Sequence, residues 1–121
     1  MKYAMIVLLG LVAQTMAESP DKTEFNYTQY ATILKKVDAK GLVNYHALKQ
    51  DPEQLNHFRQ SLSTLKREDY EGWSKDEQLA FWINAYNGLT LAAIVDHYPI
   101  KPNALKSLAF PKNSILQIKG V

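Results

Sequence analysis

The chain has 121 residues, 46% of them hydrophobic, with a formal net charge of +2 and no cysteine. That length suits a single domain able to bury a core of its own. The lack of thiols excludes disulfides, thiol catalysis and zinc–thiolate sites within these residues, and the mixed charges, as in Lys66-Arg67-Glu68-Asp69, lack the clustered basic face of a nucleic-acid binder.

In chain order, the first residues carry the three parts of a secretory signal. Lys2 supplies the positive start, Ala4 to Val12 the short apolar run, and Thr15 and Ala17 the small residues before a cut. The apolar run is roughly half of the ~20 residues that a bilayer span needs. The expectation is a signal peptide over residues 1–17 cleaved after Ala17, giving a secreted or periplasmic product without a stable membrane anchor. Glu18 to Lys22, with Pro20, reads as a flexible leader, and residues 18–35 as that leader plus the start of the first helix.

Tyr27, Tyr30, Ile33, Leu34 and Val37 recur at steps of three and four, which predicts a first amphipathic helix stopped at Gly41. Leu42 to Tyr45 reads as a short strand. Asp51-Pro52 is a helix start, with Leu55, Phe58, Leu62 and Leu65 as the apolar stripe of a second helix. The charged run Lys66 to Glu71 reads as a solvated connection. Ser74 and Glu77 form the S-x-x-E capping box of a third helix. Leu79, Ile83, Tyr86, Thr90 and Ile94, widened by Trp82, Leu89 and Ala93, are read as its buried stripe, up to Pro99. Ser114 to Ile118 resembles a strand that lacks an obvious partner other than 42–45. The expected fold is α+β and mainly helical, with three principal helices and short strands. The expected domain is incomplete, the front part or a shortened form of a longer one.

The third helix carries two asparagines, Asn84 and Asn87, at i and i+3 on one side of an apolar segment. A buried amide without partners costs about 1–3 kcal/mol, so both require specific contacts. They can orient a ligand, or they can tie the core together as a structural network, which is the commoner use of buried amides. Asn84, Asn87, Trp82 and Tyr45 are the candidate binding residues; Glu77 is explained by its cap. His46, His57 and His97 have no metal-ligand spacing, so no metal or cofactor is expected, and no catalytic residue is assigned. Asn26-Tyr27-Thr28 matches a glycosylation sequon.

Glu77 to Leu91, E-Q-L-A-F-W-I-N-A-Y-N-G-L-T-L, resembles the domain-of-unknown-function 547 family. Gly41 to Tyr45 and His97-Tyr98-Pro99 are similar to flanking segments of that family, which extends the resemblance over residues 36–121, read as a partial domain. Two departures stand out. Asn44 occupies a position where members commonly have aspartate, and the family's later histidine and cysteine stretches are not among these residues. The residues themselves favour an exported interaction or ligand-binding module of unknown target. The resemblance implies an alternative, a fragment of a hydrolase-like enzyme whose base and thiol nucleophile would lie beyond Val121.

Overall fold

The computed structural model describes residues 3–4, 23–112 and 114–118. The expected signal peptide and leader lie outside these residues, apart from Tyr3–Ala4. The order of elements is β1 (Tyr3–Ala4), α1 (Thr28–Leu34), β2 (Leu42–Val43), α2 (Tyr45–Gln50), α3 (Glu53–Ser63), α4 (Arg67–Glu71) and α5 (Lys75–Asp96). Two 3-10 turns follow, Lys106–Leu108 and Ile115–Gln117. The fold is mainly helical. Among the described residues its strand content is the short antiparallel pairing of β1 with β2 and one bridge from Val37 to Val43, so the α+β expectation holds only weakly.

Several elements differ from the sequence expectation, each for a local reason. α1 ends at Leu34 rather than at Gly41. The Asp38 carboxylate accepts from the backbone N–H groups of Lys40 (2.9 Å) and Leu42 (3.0 Å), building a turn that competes with the helix. Gly41 closes that turn at φ 77°, a left-handed conformation suited to glycine. Beyond Leu42–Val43 the expected strand gives way to α2, because the Asn44 side chain caps it by accepting from Ala47 N–H at 3.0 Å. α3 starts one residue later than read, with Pro52 in the capping position. The charged run 66–71 is a connection only in part, since Arg67–Glu71 closes a short helix braced by an Arg67–Glu71 ion pair at 2.6 Å. Five α-helices therefore stand among the described residues where three were expected.

The expected strand at 114–118 is a 3-10 turn started by Ser114, whose hydroxyl accepts from Leu116 N–H at 3.2 Å. The buried Gln117 amide holds this region together. It accepts from Asn103 N–H at 3.0 Å and donates to the carbonyls of Phe110 and Pro111, each at 3.2 Å. Lys106 Nζ adds bonds to the carbonyls of Leu116 (3.0 Å) and Ile118 (2.8 Å). With its backbone groups engaged locally, the segment requires no strand partner.

The core lies where α1, α2, α3 and the inner side of α5 meet. Ile33, Val43, Leu48, Leu55, Phe58, Leu91 and Val95 fill it. A second cluster, Trp73, Phe81 and Ala85, sits beside it. Phe25 packs against both and meets Phe58 and Phe81 edge-on, with ring centroids 6.1 and 5.1 Å away. The N-terminal segment is fixed there, because Trp73 Nε1 donates to the Thr23 carbonyl at 2.8 Å.

α5 is the organising element. Its capping box forms as read: Ser74 Oγ accepts from Glu77 N–H at 3.3 Å, and Glu77 Oε2 accepts from Ser74 N–H at 2.6 Å. At its other end Lys49 Nζ donates to the carbonyls of Val95 (2.9 Å) and Asp96 (3.3 Å), placing a cation where the helix leaves carbonyls unpaired. Arg59 pairs with Asp96 and joins α3 to the same end.

Candidate functional site

The inner face of α5 comprises Phe81, Ala85, Asn87, Gly88, Leu91, Ala92, Ile94 and Val95. Gly88 is the point of closest approach. A Cβ placed there would lie 2.2 Å from Phe58 Cε1, so the ring of α3 rests directly on the α5 backbone. This close contact sets which face of α5 turns inward. Ile94 alone of the five residues read as the helix's principal stripe is buried.

The other face is the opposite of the expectation. Leu79, Trp82, Ile83, Tyr86 and Leu89 are exposed, Trp82 at 59% and Tyr86 at 72%. Their spacing of three and four residues marks a continuous apolar seam along the outside of the helix. Beside it, α3, α4 and α5 enclose an open groove of about 290 Å³, lined by apolar Leu62, Leu65, Tyr70, Phe81, Trp82, Ala85 and Leu89. Lys66 and Arg67 stand in the same lining, which includes no carboxylate. Trp82 Nε1 donates to Tyr70 Oη at 2.8 Å, so its indole lies across the groove wall with one face outward.

Asn84 and Asn87 face a different neighbourhood. Asn84 is half-buried and meets the Tyr27 hydroxyl; Asn87 is buried, 7% exposed, and meets the Tyr30 hydroxyl. Burial pushes both phenols above their ordinary range, and the asparagine contacts oppose that rise without cancelling it. Tyr27 and Tyr30 are three residues apart, as are Asn84 and Asn87, so two tyrosine–asparagine pairs join in register. Tyr30 also stacks on Phe58 with centroids 5.1 Å apart, which links the pairs to the core. The matched spacing is a sequence signal that could have identified the tyrosines as partners.

The four candidate binding residues therefore divide among three places. Asn84 and Asn87 join the tyrosine cluster, and Trp82 lines the groove. Tyr45 begins α2 with only 1% exposure and stacks near Tyr98, with centroids 6.3 Å apart. Of the other groove residues, the sequence reading put Leu62 and Leu65 in the apolar stripe of the second helix and Lys66, Arg67 and Tyr70 in a solvated connection, and named none of them as a site residue. His46, His57 and His97 are all exposed, and no metal-holding group of three or more His, Cys, Asp or Glu side chains occurs among the described residues. No described helix is long and apolar enough to cross a membrane.

A helical scaffold with one long apolar-faced helix defines the structural class. Residues 70–121 match the family model described as Protein of unknown function, DUF547. The matched part contains all of α5 and both 3-10 turns. Neither the curated proteins nor the solved structures yield a match.

Proposed function

We propose that the protein is an exported interaction or ligand-binding module whose docking surface is the outer face of α5 with its adjoining groove. The observation that carries this reading is the exposed seam Leu79–Trp82–Ile83–Tyr86–Leu89. Contiguous exposed apolar surface on a folded protein marks a place where something binds. The groove adds concavity, and Lys66 and Arg67 add a polar anchor at its edge. The asparagine–tyrosine pairs support this surface from within, fixing the N-terminal segment against α5.

Export rests on the N-terminal pattern of Lys2, the apolar run and Ala17. Expression of the complete precursor tests it by the mass of the released product. A product beginning at Glu18 supports export; a cell-retained, uncut chain contradicts it. Binding is tested with an anilinonaphthalene sulfonate dye, whose apolar rings and sulfonate suit the groove and its cations. Saturable fluorescence enhancement by the native protein, lost in Leu89→Lys at an unchanged melting temperature, supports the site. Enhancement confined to the unfolding transition contradicts it.

A further inference from the structure

We propose that Asn87-Gly88 is a fold-gated modification site. It is shielded inside α5 in the folded protein, and in the unfolded chain it converts spontaneously to aspartyl and isoaspartyl forms that cannot return to the core. Seven asparagines occur in the sequence, and Asn87 alone precedes a glycine. That neighbour decides reactivity. The main-chain nitrogen of the following residue can attack the asparagine Cγ, and glycine has no side chain to obstruct it. The bond from Gly88 N to Asn87 Cγ forms, the Cγ–Nδ2 bond breaks, and Nδ2 leaves as ammonia with the proton given up by Gly88 N–H. Water then opens the resulting succinimide at either carbonyl. One opening leaves aspartate at 87; the other routes the main chain through the former side chain and adds a methylene to it.

Packing explains why this dipeptide stands there. A Cβ at Gly88 would lie 2.2 Å from Phe58 Cε1, so the position requires glycine. Asn87 supplies the partner of the Tyr30 hydroxyl. The same contacts hold the reaction off in three ways. Gly88 lies near the middle of a 22-residue helix, so its N–H belongs to the i→i−4 ladder. The Asn87 amide is committed to Tyr30. Both residues are buried, Asn87 at 7% exposure, with the Phe58 ring against the Gly88 backbone. Ring closure needs Asn87 to leave its helical backbone angles and its tyrosine together, which means opening the centre of α5.

The products do not fit the place they leave. Aspartate at 87 sets a carboxylate on the inner face, a charge costlier to bury than an amide. The isoaspartyl link adds a main-chain atom in mid-helix and throws the hydrogen-bond ladder out of register beyond it. Chemical change in the unfolded chain is one route by which unfolding becomes irreversible. Time spent unfolded therefore runs against a clock, and the packed core stops it.

The test incubates the full chain at mildly alkaline pH, in buffer and in guanidinium chloride. Residue 87 is followed by peptide mass mapping and isoaspartyl methyltransferase labelling. Conversion is expected to be at least about a hundredfold slower in buffer, because only the open fraction of the folded population reacts. Leu91→Ala weakens the core and leaves the dipeptide intact. It should speed conversion in buffer at least about tenfold and leave the rate in guanidinium unchanged. Gly88→Ala should largely abolish conversion in guanidinium. Removing the denaturant at intervals should restore helical circular dichroism and a cooperative melt only to chains with Asn87 intact. Chains held in guanidinium at mildly acidic pH, where hydroxide is too scarce to draw the proton from Gly88 N–H, should refold throughout.

Equal rates in buffer and in guanidinium overturn the shielding. So does a Leu91→Ala chain that is weakened yet converts no faster in buffer. Modified chains that refold and melt like unmodified ones overturn the trap. Loss of refolding that runs ahead of conversion at Asn87 contradicts it too, because the irreversibility then has another source.

Discussion

The two faces of α5 are both rich in large apolar residues, yet one is core and the other is surface. The inner face includes the small residues Ala85, Gly88 and Ala92, which allow close approach, and Phe58 sits on the Gly88 backbone. The outer face, Leu79, Trp82, Ile83, Tyr86 and Leu89, has no ring seated on it in this way among the described residues. The difference teaches that hydrophobicity alone does not identify the inner side of a helix. The side with room for a neighbour's ring packs inward.

That contrast yields graded expectations. Leu91 is fully buried on the inner face, and Leu91→Ala should cost about 2–5 kcal/mol in urea unfolding, the range for emptied core sites. Gly88→Ala gains helix propensity of up to ~1 kcal/mol but drives a Cβ into the Phe58 ring. Its expected net loss is about 1–3 kcal/mol by the same measurement. A Gly88→Ala chain more stable than the parent would break the account of which face packs.

Asn87→Leu, also on the inner face, removes the partner of a buried tyrosine hydroxyl, a loss of about 1–3 kcal/mol. The same cluster gives a pH dependence. Tyr27 and Tyr30 have pKa values raised from 10.0 by burial. The folded chain thus holds these protons more tightly than the unfolded chain. Their stabilising contribution is complete below pH 10.0 and falls as pH rises through the raised values. Melting temperatures recorded on both sides of that pH should fall on the alkaline side, and less steeply when both tyrosines are phenylalanine. The smallest stability effect belongs to the outer face. Tyr86→Lys should alter unfolding free energy by no more than about 0.5 kcal/mol, as for an ordinary surface substitution.

Local chemistry made some of this legible in the sequence. Ser74 and Glu77 located the start of α5 because a capping box is a short-range arrangement, and Asp51-Pro52 marked the beginning of α3 within one residue. The phase of α5 was not legible, since apolar residues occupy both sides and only a partner resolves them. The strand-like pattern at Ser114 to Ile118 was misleading because its backbone needs are met by Lys106, the Ser114 hydroxyl and local turn bonds rather than by a neighbouring strand. The charged run at 66–71 concealed two groove cations in what reads as a solvated connection. For the candidate site, the asparagines were visible as residues in need of partners. Their tyrosines come from a segment more than fifty positions earlier, beyond the reach of periodicity, although the shared i, i+3 spacing pointed to them.

The most direct measurement is collisional quenching of Trp82 emission by acrylamide. The native protein has two tryptophans, Trp73 and Trp82. Subtracting the emission of a Trp82→Phe chain from that of the native chain isolates the second. The account predicts a Trp82 readily quenched in the folded protein. A Trp82 already shielded from acrylamide in the free protein would contradict it, because the outer face of α5 would then be core.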